Sequence, residues 1–558
     1  MENSEESKTT IESEEIFNFT EISTTAEIVE ETIETKEVEM IESNSSETSE
    51  VLETIGEEEL KEPSKSSIEP ELISLYGTVI SKNYPIWEDI NFKEENGHSS
   101  NYHHQTLSLK SKIEHSNGST YYELYDNQNQ RLGFINGKSL SISESRGGIY
   151  LSNGSYGTIK KKNYSLWNDF TFKKERNNTS QYYEQTLHMR GEYHHFNGSI
   201  YYSVYDNKNN WLGYLNQSAV TIRNNRGGTY ISNGNYGTVV KKNYPLWQDL
   251  GFKKERNNST KFYEQTFQLR GEYHHFNGTT YYSVYDNKNN WLGYINQNGV
   301  KATSGKEGVA IKTNNSVALP NNNYQILQNF SWKEKNNTNR VAKKKYLVKY
   351  KYNHFNGSTY DSLYDGNNWS GYINHKGTRK WDVRNGVTYI DNIMIANKKI
   401  SLPSTFNPGE DREAGNQARK MISDMQKMGM NVSSSYSGFR TYQYQKIIFD
   451  DYVKIHGQAK AETFSARPGH SEHQTGLTFD LRHSNGTLIE YGREANWLAT
   501  NSHKYGFIIR YQSNKVKITG YQAEPWHIRY VGKTEAEKIY RSKQCLEEYL
   551  GVEGGDYR

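Results

Sequence analysis

Residues 465–482, Ser-Ala-Arg-Pro-Gly-His-Ser-Glu-His-Gln-Thr-Gly-Leu-Thr-Phe-Asp-Leu-Arg, and the later Glu524-Pro-Trp-His527 hold the side chains best suited to chemistry. Two imidazoles, one carboxylate as a third ligand and a second carboxylate left over as a base are the minimum kit for a catalytic zinc. Such an ion takes three protein ligands and keeps one position for water, whose pKa falls toward neutrality. The candidate histidines here are His456, His470, His473, His483, His503 and His527. The setting singles out His473, Asp480 and His527: Gly476 lets the chain bend between the first two, and Glu524 stands three residues before the third. His470, His483 and His503 fit surface or helix-end positions better. The one cysteine, Cys545, excludes a Cys-type zinc ribbon and any disulfide within the chain.

These residues need elements to hold them. Between 409 and 430, Ala414, Ala418, Met421, Ile422, Met425 and Met428 fall at helical spacing, which predicts an amphipathic helix with a methionine-rich core face. A second helix is expected over 441–455, closed by His456-Gly457. Thr534-Glu-Ala-Glu537 reads as a capping box opening a third, with Cys545 in the closing helix. Residues 507–511 and 516–519 read as strands, and Trp526 as packing on its strand. The expectation is a small, self-sufficient α+β domain over 388–558.

Ser437-Gly-Phe-Arg440, Ser471-x-His473-x6-Asp480 and Glu524-x-x-His527 together resemble the motif set of the VanY-like D-alanyl-D-alanine carboxypeptidases. These belong to the LAS group of zinc peptidases, with VanX-type dipeptidases and some phage endolysins. The resemblance covers about 388–540. It implies a zinc ion on His473, Asp480 and His527, and Glu524 as the base that returns its proton to the leaving amine. It also implies that Arg440 binds the scissile carbonyl, with Ser437 supporting the Arg440 loop and Ser471 and Gln474 helping to hold substrate. Thr478 stands where that family usually has Ala.

Upstream, the chain repeats itself. Asn83-Tyr84-x-x-Trp87, Asn163-Tyr164-x-x-Trp167 and Asn243-Tyr244-x-x-Trp247 recur every 80 residues, and Asn323-Tyr324 continues the period with Leu327 in place of Trp. Each copy holds aromatic runs around a turn, best preserved around Asn277-Gly278, which predicts a β-hairpin. The aromatics are expected chiefly to fill small barrels. The His194-His195 and His274-His275 pairs are not read as metal ligands, because neighbours on a strand face opposite ways. Trp-Leu-Gly-Tyr at 211–214 and 291–294, with variants at 131–134 and 369–372, resembles GW modules, the SH3-like repeats that hold bacterial enzymes on the cell wall. The expected fold is therefore multidomain, with tandem all-β SH3-like repeats at 74–148, 149–228, 229–308 and 309–387 ahead of the zinc peptidase domain.

Charge divides the chain. Residues 1–71 carry 23 acidic and 4 basic residues, leaving 42 acidic and 63 basic in the rest. Low apolar content and self-repulsion predict a disordered acidic spacer over 1–73. A basic body seeks a polyanion, whether nucleic acid, an anionic membrane or a wall teichoic acid. Lys160-Lys-Lys162 and Lys241-Lys242 beside the Tyr-x-x-Trp steps, with the wall-type resemblance, point to the wall polymer and away from nucleic acid. No segment has the length of a transmembrane span and no signal peptide is visible, so either a trimmed secreted form or signal-independent export is implied. The resulting expectation is a secreted, wall-associated enzyme that removes terminal D-alanine from peptidoglycan stem peptides. The alternatives are an L,D-carboxypeptidase on tetrapeptide stems, an endolysin-type endopeptidase, and an adhesin with an inactive peptidase domain.

Overall fold

The computed structural model describes residues 69–557, and the expected acidic spacer lies outside them except for its last five positions. Three of those begin a strand, Glu71–Val79. Four antiparallel sheets follow in chain order, then a three-stranded sheet with helices.

The four sheets share one topology. Numbering strands within each unit, the order is 3-2-6-5-4-1-7, with the first strand of the third unit broken into Ile231–Ser232 and Tyr236–Val239, and the fourth adds two strands, Val387–Ile390 and Ile393–Met394. Its last strand thus ends inside the segment that the sequence assigned to the C-terminal domain. The 80-residue period is written in the cores: Val79, Ile159, Val239 and Leu319 are equivalent, as are Ile86, Leu166, Leu246 and Ile326, and all are buried. The same spacing brings Thr78 onto Thr106, Thr158 onto Thr186 and Thr238 onto Thr266, with hydroxyls 2.9, 3.1 and 2.8 Å apart.

The centre of each unit is mainly aliphatic but takes in rings such as Tyr202, Phe267 and Tyr346, and further aromatics pack around it and between units. Phe196, Phe276 and Phe355 each sit about 5 Å from a tyrosine of the preceding unit, Tyr76, Tyr156 and Tyr236. Branched aliphatic chains tile the closely packed sheet interior, while flat rings suit the wider joints. The hairpin at Asn277-Gly278 is present but its loop runs from His275 to Thr279, with the His275 amide donating to Thr279 O, so the turn is longer than a two-residue one. His194 and His195 do part company, the first pairing with Glu192 and the second buried.

In the C-terminal region the strand Glu524–Tyr530 lies between Thr478–Asp480 and Phe507–Tyr511. The helix Arg412–Lys427 covers this sheet, its Ala414, Ala418, Met421, Ile422 and Met425 packing on Phe479, Leu481, Phe507 and Ile528. A second helix spans Tyr442–His456 and is stopped by Gly457. Residues Val516–Thr519 form a helical turn instead of the expected strand, because left-handed Gly520 closes the turn by donating to Val516 O and the backbone needs no partner strand. The helix Lys533–Ser542 starts at Gly532 with no side-chain cap, so Thr534 does not cap it. The capping box lies later, where Cys545 opens the short helix Leu546–Leu550 and its amide donates to Glu548.

The domain shares part of its buried core with the fourth repeat. Ala318 of the fourth repeat, with Ile390, Ile393 and Ile395, shares one buried cluster with Ile508, Ile539, Leu546 and Leu550. Hydrogen bonds seal the seam: Arg379 donates to Tyr549 O at 2.8 Å and Gln544 to Asn321 O at 2.7 Å. No helix among the described residues is long and apolar enough to cross a membrane.

Candidate metal centre

Three local devices converge on one buried point. The first is a cross-strand pair: Asp480 lies opposite His527, which sets their side chains next to each other. The second is an irregularity in Glu524–Tyr530. Ile509 faces Ile528 but Tyr511 faces Glu524, so four residues of one strand span two of the other. That bulge turns Glu524 to the side of His527, which strict alternation would forbid. The third is the tight turn Glu472–Thr475, which carries His473 and ends at Gly476 with φ of 73°. A Cβ at Gly476 would stand 2.0 Å from Gly409 O, so only glycine fits.

The donors meet closely. Asp480 Oδ2 is 3.1 Å from His473 Nε2, and Asp480 Oδ1 is 3.1 Å from His527 Nδ1. One donor atom from each of the three lies within 4.8 Å of the others. Asp480 Oδ1 is buried without a hydrogen-bond partner despite its nearness to the imidazole. Lone pairs facing a shared point at such distances fit a divalent cation, and two imidazoles with one carboxylate suit zinc. Glu524 Oε2, 3.4 Å from His527 Nδ1, is the free carboxylate beside them.

Arg440 reaches in from the 437–440 loop. Its Nη2 donates to Asp480 Oδ2 at 2.8 Å and to Ser437 Oγ at 2.9 Å. The loop is pinned by a backbone bridge between Ser437 and Asp480, with amide to carbonyl distances of 3.1 and 2.8 Å. Ser437 therefore touches Arg440, as expected. Gln474 is placed otherwise: fully buried, its amide donates to Pro403 O and Phe406 O, so it ties down the 403–406 segment instead of facing a ligand. Ser471 is also buried and makes no capping hydrogen bond to its turn.

Burial and neighbouring charge tune the groups. Burial pushes the Glu524 carboxyl up to about 8, with the Asp480 charge adding to it. Burial opposes a charge on His527, but the facing carboxylates of Asp480 and Glu472 outweigh it and push His527 up to about 9. Asp480 is held well below the usual carboxylate range by His473 and His527, against the cost of burial. A cation among these donors would draw Glu524 and His527 down again.

Sequence reasoning missed the charged layer beneath. Glu472, Arg510, Arg529 and Glu547 are all buried and ion-paired to one another. Arginines at 510 and 529 inside strands read from apolar neighbours were the available signal. A cavity of about 580 Å³ lined by Tyr491, Ala495, Ile509, Tyr511 and Pro525 includes none of the three donors. The site is therefore defined by its donors and not by cavity size.

The site lies in the part of the chain that known proteins match. The family model for VanY, D-alanyl-D-alanine carboxypeptidase, matches residues 409–533. The Bacillus subtilis protein YodJ is 39% identical over 185 residues, which are 29% of this chain and 67% of YodJ. The crystal structure of an L,D-carboxypeptidase, DacB from Streptococcus pneumoniae, is 44% identical, with 32% of this chain and 100% of that one covered and a TM-score of 0.32. A vancomycin resistance D,D-pentapeptidase VanY, solved as an E175A mutant with Zn(II), is 35% identical, covering 28% and 97%, at a TM-score of 0.26.

Proposed function

Because this chain belongs to the VanY D-alanyl-D-alanine carboxypeptidase family, we propose that it is a zinc carboxypeptidase removing the C-terminal D-alanine from peptidoglycan stem peptides. The observation that carries the reading is the meeting of His473 Nε2, Asp480 and His527 Nδ1, with Glu524 alongside as a carboxylate outside the ligand set.

His473, Asp480 and His527 would hold the ion. When bound, zinc supplies a Lewis acid that brings the pKa of water toward neutrality. The chain's own residues do the rest. Glu524 accepts a proton as water adds to the scissile carbonyl, then returns it to the amine nitrogen as the carbon–nitrogen bond breaks. Arg440 donates to the carbonyl oxygen as negative charge grows there, and Ser437 keeps the guanidinium aimed.

The four sheets would act as SH3-like, GW-type modules that hold the enzyme on an anionic wall polymer such as teichoic acid. Supporting this, cations stack on the repeat aromatics in register: Arg176 over Trp211 at 4.6 Å, Arg256 over Trp291 at 4.7 Å and Lys335 over Trp369 at 4.1 Å. On this reading the protein works outside the cell, at the wall.

The deciding experiment is mass spectrometry of stem peptides incubated with the zinc-loaded full chain. Loss of one D-alanine from the pentapeptide, stopped by a chelator, is expected. Release from the tetrapeptide alone would redirect the reading to L,D-specificity. No release from either would refute the enzyme assignment.

A further inference from the structure

His473 and His527 offer different ring nitrogens to the same point. Nδ1 of His473 lies 2.7 Å from Gly438 O, so it carries the hydrogen and leaves Nε2 toward Asp480. His527 is reversed: Nδ1 faces Asp480 Oδ1, and Nε2 points away toward Glu472 Oε2 at 3.6 Å. Both His527 Nε2 and Glu472 Oε2 are buried and make no hydrogen bond among the described residues; at 3.6 Å the pair falls just short of one. Each is the group the other has available.

Glu472 itself is clamped. Its Oε1 accepts from Arg510 Nε and Arg529 Nη1, both at 2.8 Å. Arg510 spends its other two donors on Glu547, at 2.9 and 2.6 Å. Two carboxylates face two guanidiniums, so this cluster balances its formal charge with His527 neutral. The guanidiniums occupy one oxygen of Glu472 and leave the other free for the imidazole.

We infer that Glu472 is a positioning residue for the metal centre: closing from 3.6 Å, its Oε2 accepts the Nε2 hydrogen of His527 when the ion is bound and so keeps the Nδ1 lone pair turned toward Asp480 and His473. The inference rests on the metal reading above and extends it to a residue outside the ligand set. A neutral imidazole has two tautomers, and the wrong one places a hydrogen where a ligand lone pair is needed. A carboxylate on the far nitrogen selects the right tautomer, fixes the ring and raises its basicity. One short turn, Glu472–Thr475, thus supplies one ligand and the orienting partner of another.

The test uses the full chain and compares Glu472→Gln with Glu547→Gln. Both remove one negative charge from the same buried cluster, but only the first touches His527. Zinc affinity, measured by chelator competition, is expected to fall about 10- to 100-fold in Glu472→Gln. In Glu547→Gln it is expected to stay within about twofold of wild type while the melting temperature drops, since that variant loses only cluster pairing. In the zinc-loaded wild type, long-range proton–nitrogen correlation on labelled histidine should show the His527 hydrogen on Nε2. Unchanged affinity in Glu472→Gln, an equal loss in Glu547→Gln, or a hydrogen on Nδ1 would each overturn the inference. If Glu472→Gln does not fold, Glu472→Asp, which withdraws the carboxylate from the ring, is measured in its place and is expected to show the same fall in zinc affinity. Failure of the wild type to bind zinc would instead strike the metal reading itself.

Discussion

Glu524 Oε2 stands 3.4 Å from Nδ1 of His527, on the ligand side of the imidazole and yet outside the ligand set. The bulge opposite Ile509 and Tyr511 creates that placement. A carboxylate so held can serve proton transfer without being needed for metal binding. Glu524→Gln should therefore lower kcat by about 10²- to 10⁴-fold while zinc stoichiometry stays at that of wild type. Rate assays on stem pentapeptide together with metal analysis of the same sample check both halves.

The metal-free site should carry a pH signature. Glu524, raised from 4.5 to about 8, and His527, raised from 6.5 to about 9, hold protons in the folded state that the unfolded chain has released. Where the native state binds more protons, stability falls as pH rises. Their contribution is complete below the unfolded values and is lost as pH climbs through 8 and 9. Asp480 and Glu472 are shifted downward from 3.8 and 4.5, so their contributions are already complete above pH 5 and stay level across this window. Chelator-treated protein should melt at a lower temperature at pH 9 than at pH 6. Glu524→Gln should flatten that slope, and added zinc should restore stability at the alkaline end. A melting temperature that rises from pH 6 to 9 in the chelator would contradict the assignment.

Thr478 is a buried expense beside the site. It sits on the same strand as Asp480, fully enclosed, and its hydroxyl has no protein partner. An unsatisfied buried hydroxyl costs about 1–3 kcal/mol. Thr478→Val keeps the shape and removes the polar atom, so it should stabilise the protein by about 1 kcal/mol in chemical denaturation. Stem-peptide cleavage should be unaltered, because the hydroxyl touches no donor.

Much of the architecture was legible because the chain states it locally. The 80-residue period fixed equivalent core positions such as Val79, Ile159, Val239 and Leu319, and helical spacing exposed the Ala414–Met425 face. The three candidate donors lay in two short motifs whose strands pair directly, Asp480 against His527. What stayed hidden depends on partners far along the chain. Gln474 read as a substrate contact because its carbonyl partners at Pro403 and Phe406 are not visible from its neighbours. The Glu472–Arg510–Glu547 cluster unites residues up to 75 positions apart, and Val516–Thr519 has β-branched residues but no strand to pair with.

The seam between the fourth repeat and the peptidase has an energetic consequence. Cutting at 388 removes Ala318 and Trp381 from the cluster around Ile390, Ile393, Leu546 and Leu550, and deletes the bonds of Arg379 and Asn321 to the C-terminal helix. Each large apolar side chain so uncovered forfeits roughly 1.5–3 kcal/mol of burial. A fragment beginning at 388 should melt well below one beginning at 309, by calorimetry at equal concentration. Equal melting temperatures would show that the seam contributes nothing to the peptidase.

The stacked cations of the repeats make a separate claim about how the enzyme is held. Arg176, Arg256 and Lys335 recur at the period of the sheets and lie on Trp211, Trp291 and Trp369 near solvent. Charges spaced along a row of repeats favour a ligand whose own charges repeat. Such attraction is screened within about 3 Å at 1 M salt, against about 8 Å at physiological ionic strength. The full chain should therefore sediment with purified cell walls at low salt and leave them as salt approaches 1 M. If it stays bound, the tryptophan and tyrosine faces are gripping sugar rings, and the charges only line the approach. Arg176→Ala and Arg256→Ala together separate the two cases: they weaken retention at low salt if the polymer is anionic, and spare it if the ligand is glycan.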